Sequence, residues 1–380
     1  MTRATLFPAQ EIGSLMKPRW QILGQHGEAL DERARTEFRT ANERTHFADG
    51  ATGSDALLGG RSRELGPDAV RDLGALFALR LFETAGLDRV YDGEARLIEM
   101  YEYPIRQMRG FQFQGHVRSF DNKYYLKAAV TDEIRLERPY HLEEFDFVRA
   151  HARAEPKLPI TGPYTLADWS YNEYYLARHP GWKGPSARRS AQREFVVDLA
   201  KRAIRPTLAA LIEHGCRVIQ IDEPAAGTHP DEADLVVEGF NAATDGLDAE
   251  FSMHICYSDY RDLLPQLLEA KRCRQWAWEF ANRDREGRDG YEVLKALSEY
   301  GDTREVGLGV VDVHRDEVEP PELVADRIQR AVKYLGDPAR IWVNPDCGLR
   351  TRKLDIASRK LESVVHGAAL ARAAFENPQR

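Results

Sequence analysis

The 380-residue chain is poor in cysteine. It has four, Cys216, Cys256, Cys273 and Cys347, too few to staple a fold of this size and in keeping with a reducing compartment. Each cysteine therefore needs its own explanation, in packing or in chemistry. No uncharged apolar run approaches the roughly 18 to 20 residues that span a bilayer, so a membrane-spanning helix is not expected. The N-terminus, MTRATLFPAQEIGSL, lacks the basic-then-apolar layout of a secretory signal, and a cytoplasmic location is the expectation. An excess of positive charge is also missing. The balance of 53 basic against 61 acidic residues gives a net charge of -8, so no global field gathers phosphate backbones or anionic lipid. Neither nucleic acid nor a membrane surface is expected as a partner.

What is present is ordinary globular material, 43% hydrophobic and 30% charged, enough for a sizeable core. The length suits one large α/β barrel or two ordinary domains. Eight short β-rich runs stop abruptly at polar or glycine positions: Glu11 to Ser14, Arg89 to Glu94, Leu158 to Gly162, Arg217 to Glu223, Phe251 to Cys256, Gln275 to Glu279, Glu305 to Asp312 and Ile341 to Cys347. Helical stretches separate most of them: Pro67 to Thr84, Arg193 to His214, Tyr260 to Lys271, Glu322 to Leu335 and Ser358 to Ala374. In Arg193 to His214, Val196, Leu199, Ala203, Leu208 and Leu211 recur at helical spacing, and Pro206 is expected to end or kink the helix. The alternation predicts a (β/α)8 TIM barrel in a single domain over 1–380, with an N-terminal extension.

Two inserts interrupt the rhythm. Phe111 to Val130 alternates aromatic and polar residues around a Ser119 to Asn122 turn and predicts a β-hairpin. His179 to Arg189 is rich in glycine, proline and charge and predicts a surface loop.

Chemistry concentrates at the run ends. His254 and Cys256 stand at alternate strand positions and so aim at one point, while Glu279 and Cys347 each close a later run. Imidazole, thiolate and carboxylate from three strand ends suit zinc, which accepts mixed ligands in a tetrahedral array. Asp222 and Glu223 end another run, where such an acid pair also serves as a helix cap. Cys216 and Cys273 fall outside this pattern and read as packing. Lys123, Lys127, Arg135 and Arg138 form either a solvated face or a contact for an anionic tail.

The segments Val218-Ile219-Gln220-Ile221-Asp222-Glu223-Pro224-Ala225, Met253-His254-Ile255-Cys256-Tyr257-Ser258 and Trp342-Val343-Asn344-Pro345-Asp346-Cys347-Gly348-Leu349, followed by Thr351-Arg352, resemble the catalytic barrel of the cobalamin-independent methionine synthase family. The likeness extends through Ile12-Gly13-Ser14, Asp92-Gly93-Glu94-Ala95, Leu158 to Pro163 with Trp169-Ser170, and Gly307 to His314. It implies a zinc site of His254, Cys256, Glu279 and Cys347 that takes the thiol of homocysteine as thiolate, with Glu279 the ligand that yields. It further implies that Ile12, Gly13 and Ser14 hold the amino-acid carboxylate, and that Glu94 and Asp222 hold its ammonium group. Trp169 would contact the pterin ring of the methyl donor, and His314 would protonate the leaving group.

The long form of that family carries a second, N-terminal barrel that helps bind polyglutamylated folate. Its absence here leaves open whether the donor is a methylfolate, a methylcorrinoid or a corrinoid protein. After Glu279 the family usually places an arginine three positions on, where this chain has Asn282. The function expected is zinc-dependent methyl transfer to homocysteine, giving methionine. The alternative is zinc-dependent alkyl transfer to another thiol, such as from an epoxide to coenzyme M. Glu94 and Asp222 weigh against it, because a sulfonate thiol has no ammonium group to compensate two acids.

Overall fold

The computed structural model describes residues 5–118, 124–179, 181, 184–285 and 287–376. Its strands are β1 (Arg89–Val90), β2 (Met108–Arg118), β3 (Tyr124–Leu136), β4 (Glu155–Pro156), β5 (Leu158–Thr161), β6 (Tyr171–Asn172), β7 (Val218–Asp222), β8 (Glu250–Ile255), β9 (Cys273–Trp278), β10 (Glu305–Val311) and β11 (Ile341–Pro345). Six of them pair in the order β11, β10, β9, β8, β7, β5, all parallel. Their near-continuous apolar sequences fit this arrangement, because helices cover the outside of a parallel sheet and side chains fill the inside.

Short contacts connect the two ends of this sheet. β1 pairs with β4 in parallel, and Lys157 N donates to Val90 O at 2.9 Å, so β4 runs on into β5 alongside β1. Ala9 bridges Val343 of β11 and Gln10 bridges Arg89 of β1, both parallel. Eight staves are thereby linked in a ring, as the strand–helix alternation predicts. The first stave lies earlier than Glu11 to Ser14. Glu11 N bonds Arg89 O, but the chain then leaves the ladder, and Leu15 N reaches Gly93 O at 2.9 Å.

The N-terminal helices, Arg19–Gln25, Glu32–Thr45, Ser54–Leu58 and Ser62–Ala85, all fall between that first stave and β1. The hairpin is present and longer at its base than 111–130, pairing from Met108 with Leu136 to Arg118 with Tyr124. The expected turn at Ser119 to Asn122 lies outside the described residues.

Three expectations are corrected. Of the surface loop at His179 to Arg189, the part from Pro185 onward is the start of a helix, Pro185–Leu199, with proline at its first turn, where no N–H is needed. Of the end or kink expected at Pro206, the end does not occur. The backbone widens to a π-helical turn at Ala200–Ile204 and continues as Arg205–Glu213, a local change that accommodates a residue lacking an N–H. Tyr260 to Lys271 is not one helix either. A turn at Tyr260–Leu263 and a 3-10 turn at Gln266–Glu269 flank Pro265, which cannot continue a helical hydrogen-bond ladder.

Inside the barrel, Gln10 Nε2 donates to Gln275 Oε1 at 2.7 Å and to Asn344 Oδ1 at 3.1 Å. Two glycines of β10 make room for polar groups. A Cβ on Gly307 would lie 2.7 Å from Asn344 Oδ1, and one on Gly309 would lie 2.2 Å from Asp346 Oδ1 and 2.9 Å from Trp278 O. Asp346 has no slack to give, because its carboxylate accepts the backbone N–H groups of Phe280, Ala281 and Asn282 at 2.9, 2.9 and 2.7 Å. Gly309→Ala is therefore expected to destabilise the protein by about 1–3 kcal/mol, the usual cost of overpacking, read as a lower urea midpoint with unchanged slope.

Candidate active site

β8 carries His254 between Asp222 of β7 and Ala277 of β9 in the strand register. The neighbour on one side fixes the imidazole: Nδ1 lies 2.8 Å from Ala277 O, which accepts only if Nδ1 carries the proton. Nε2 is then the nitrogen left for a ligand, buried and without a hydrogen-bond partner. Donor atoms of His254, Cys256 and Cys347 all lie within 4.8 Å of one another. The Cys256 thiol hydrogen-bonds Cys347 and holds it well below the ordinary thiol range, and the His254 imidazole adds to this. Donating that bond, together with burial, pushes Cys256 well up. Burial pulls His254 down, but the Cys347 sulfur and Asp222 outweigh it and lift the imidazole to about 9. Two sulfurs and a fixed imidazole nitrogen, converging at strand ends, are a donor set that fits zinc.

Glu279 closes β9 beside this cluster but is not in the group of atoms within 4.8 Å. Its fully buried carboxylate accepts from Tyr257 N at 3.3 Å and from the Asn282 amide, and lies 3.6 Å from His314 Nε2. Asn282, where the family usually has arginine three residues on, is thus a hydrogen-bond donor to the carboxylate. Burial pulls His314 down, but the nearby Glu279 carboxylate overrides it and raises the ring to about 9. Its other nitrogen, Nδ1, lies 3.2 Å from the Tyr257 hydroxyl.

The same cleft is lined by Ile12, Gly13, Ser14, Glu94, Asp222 and Trp169 together with His254, Cys256, His314 and Cys347. Every site residue expected from the sequence except Glu279 borders it. Gly348 is packed so tightly on Ser14 that a Cβ there would lie 2.8 Å from Ser14 N. Glu94 adopts φ 58°, and its N–H bonds Asp92 Oδ1 at 2.9 Å, a local bond that tolerates a left-handed backbone. Burial and the nearby Asp222 charge push Glu94 up to about 8. Burial lifts Asp222 to about 7, against the opposing effects of His254 and a hydrogen bond from Gln220. Glu223 does not share this role. Its carboxylate accepts Tyr164 N at 3.1 Å and Thr165 N at 2.7 Å, capping the helix Pro163–Asp168. The capping alternative for the acid pair therefore applies to Glu223 alone.

Trp169 stacks on Tyr125 of the hairpin, with centroids 5.2 Å apart and planes at 26°. Tyr124, Tyr125 and Met100 complete that wall of the cleft, and Tyr257, Thr351 and Arg350 stand on the rim. Sequence reasoning singled out none of these as site residues. The aromatic alternation of the hairpin signals a strand equally well, and nothing local to it says which aromatic faces the cleft. Of the basic group, Lys127 lies over the Tyr171 ring at 4.4 Å, Arg135 pairs with Glu133 at 2.9 Å, and Arg138 bonds Gln107 Oε1 at 3.0 Å. Lys123 lies outside the described residues. Cys216 and Cys273 are buried and bond backbone carbonyls of Val218 and Gln275.

A ring of parallel strands with a thiol–imidazole cluster and an acid-lined cleft at their C-terminal ends defines a catalytic α/β barrel. The chain belongs to the cobalamin-independent synthase catalytic-domain family, whose model matches residues 69–370. A methionine synthase of Thermoplasma acidophilum is 40% identical over 307 residues, covering 76% of this chain and 85% of the relative. One from Pyrococcus abyssi is 36% identical over 376 residues, covering 99% and 96%. The structure of a B12-independent methionine synthase from Shewanella sp. W3-18-1 in complex with selenomethionine superposes with a TM-score of 0.72 over 98% of this chain and 99% of that one. At 21% identity this last likeness bears on the fold. No helix among the described residues is long and apolar enough to cross a membrane.

Glu94 gives a test by pH. Because its folded-state pKa of about 8 exceeds the ordinary glutamate value of 4.5, the folded protein keeps a proton between those values that the unfolded chain has released. Raising the pH through that window therefore favours unfolding. Glu94→Gln should raise the melting temperature of the ligand-free protein at pH 8 with little gain at pH 4.5, while weakening substrate binding. An equal gain at both pH values would contradict this origin.

Proposed function

We propose that the protein transfers a methyl group to the thiol of homocysteine, giving methionine, at a zinc site that His254, Cys256 and Cys347 would form, with Glu279 as the ligand that would yield to substrate. The observation that carries the reading is the convergence of two cysteine sulfurs and an orphaned imidazole nitrogen in a cleft that also holds Glu94 and Asp222. The chemistry the ion supplies when bound is to remove the thiol proton, which a free thiol near neutral pH mostly retains, and to keep the sulfur nucleophilic.

The chain's own residues do the rest. Glu94 and Asp222 hold the ammonium group, and the Ile12-Gly13-Ser14 segment holds the carboxylate. Trp169, stacked on Tyr125, offers a flat face to the donor ring. His314 gives its proton to the departing nitrogen of a folate donor, which leaves readily only as the protonated amine, and the Tyr257 hydroxyl and the Glu279 carboxylate orient the imidazole. With both substrates held in line, the methyl carbon passes from donor to sulfur in one displacement and needs no covalent enzyme intermediate.

The donor is a methylfolate or a methylcorrinoid. The alternative thiol, a sulfonate such as coenzyme M, is favoured by one feature. Arg350 borders the cleft and makes no ion pair or hydrogen bond with the described residues. Three cleft carboxylates, Glu94, Glu99 and Asp222, oppose it, and acids with a single arginine suit a zwitterion better.

The zinc-loaded protein, given homocysteine and either methylfolates of varied glutamate length or methylcobalamin, is expected to form methionine with at least one donor. Alkylation of a different thiol with no methionine from any donor would favour the sulfonate reading. Cys347→Ala should lose both bound zinc and turnover; full zinc and activity in that variant would refute the ligand assignment.

A further inference from the structure

Beneath the amino-acid pocket lies a buried polar chain that does not itself border the cleft. Gln220 on β7 is fully buried and stands two residues before Asp222, on the same side of the strand. Its amide nitrogen donates twice, to Asp222 Oδ1 at 2.7 Å and to the Ile12 carbonyl at 2.6 Å. Its carbonyl oxygen accepts from Lys157 Nζ at 2.8 Å. Lys157, itself 1% exposed, also donates to the Glu11 carbonyl. Both N–H donors of the Gln220 amide are used, and its oxygen accepts from Lys157.

This arrangement has one stable orientation. Turning the amide over would set its oxygen against the Asp222 carboxylate and the Ile12 carbonyl, and its N–H groups against an ammonium that can only donate. Lys157 therefore determines which end of Gln220 faces the pocket. Gln220 in turn ties together two parts of the chain 208 residues apart: the segment entering Gly13 and Ser14, and the acid at the end of β7. In the proposed function these are the carboxylate side and the ammonium side of the amino-acid pocket.

We propose that Gln220, oriented by Lys157, is a positioning residue that sets both walls of that pocket and so determines selection for an α-amino acid over an analogue lacking the amino group. The inference rests on the reading of the cleft as an amino-acid site. Held by a donor on Oδ1, Asp222 is kept as an acceptor facing the pocket rather than turning or hydrogen-bonding elsewhere, and preorganised acceptors cost less to engage than mobile ones. Lys157 and Gln220 do not line the cleft, whereas Glu94 and Asp222 do, which separates the two roles.

The test uses the zinc-loaded full chain and compares the dissociation constants of L-methionine and of 4-(methylthio)butanoate, which is methionine without its amino group, by calorimetry. The wild type should prefer L-methionine. Gln220→Met, close in volume but without hydrogen bonds, should cut that preference by about tenfold or more, about 1.4 kcal/mol or above, with zinc content unchanged. Gln220→Glu is the second variant. It keeps an acceptor for Lys157, and so the buried ion's partner, but loses both donors, and it should lose the preference in the same way. If whichever variant folds retains the wild-type preference, or weakens both ligands equally, the positioning role is overturned and Gln220 is structural. A wild type with no preference overturns the amino-acid reading, and this inference with it.

Discussion

The site depends on the parallel register of three strands. Asp222, His254 and Ala277 stand side by side on β7, β8 and β9, and the carbonyl of the third fixes the tautomer of the second. Shifting any of these strands by one residue would turn its side chains to the opposite face. His254 Nε2 would then no longer meet the sulfurs of Cys256 and Cys347, and Asp222 would leave the cleft. The catalytic geometry is thus a property of strand pairing first and of side chains second. β11 enters the same arrangement through its bridge to Ala9, which brings the Ile12 to Ser14 segment and Cys347 to one end of the barrel.

Polar groups inside the barrel are satisfied in layers. The amides of Gln10, Gln275 and Asn344 bond one another, and Lys157, Gln220 and Asp222 form a chain nearer the cleft. Space for these groups comes from residues without side chains, Gly307 and Gly309 among them. Buried donors and acceptors that find each other are close to neutral in cost, and those left alone are not. Not every group is satisfied: Gln10 Oε1 and both carboxylate oxygens of Glu11 are buried without a partner, and burial pushes Glu11 up to about 8. Burial also lowers the neighbouring Lys157 to about 8.

The sequence carried the barrel and most of the cleft because both are written in short local signals. Runs ending in Asp222, Cys256, Glu279 and Cys347 mark strand ends directly, since a buried parallel strand stops where polarity begins. Those signals fail where pairing is sparse or geometry is non-local. The first stave is paired only at Ala9 and Gln10, too briefly to leave a pattern, and was expected two residues later. Pro206 reads as a breaker, yet a widened turn absorbs it, and nothing in the local sequence announces that option. Tyr124, Tyr125 and Tyr257 were not foreseen at the cleft because their placement depends on where the hairpin folds back and on a left-handed Tyr257 backbone, φ 55°.

Zinc-edge X-ray absorption of the purified protein tests the central claim most directly. The account predicts stoichiometric zinc with two protein sulfurs at about 2.3 Å and one imidazole nitrogen, and one further sulfur neighbour when homocysteine is added. A spectrum with oxygen and nitrogen neighbours alone, or a sulfur count that stays the same when homocysteine binds, would contradict it.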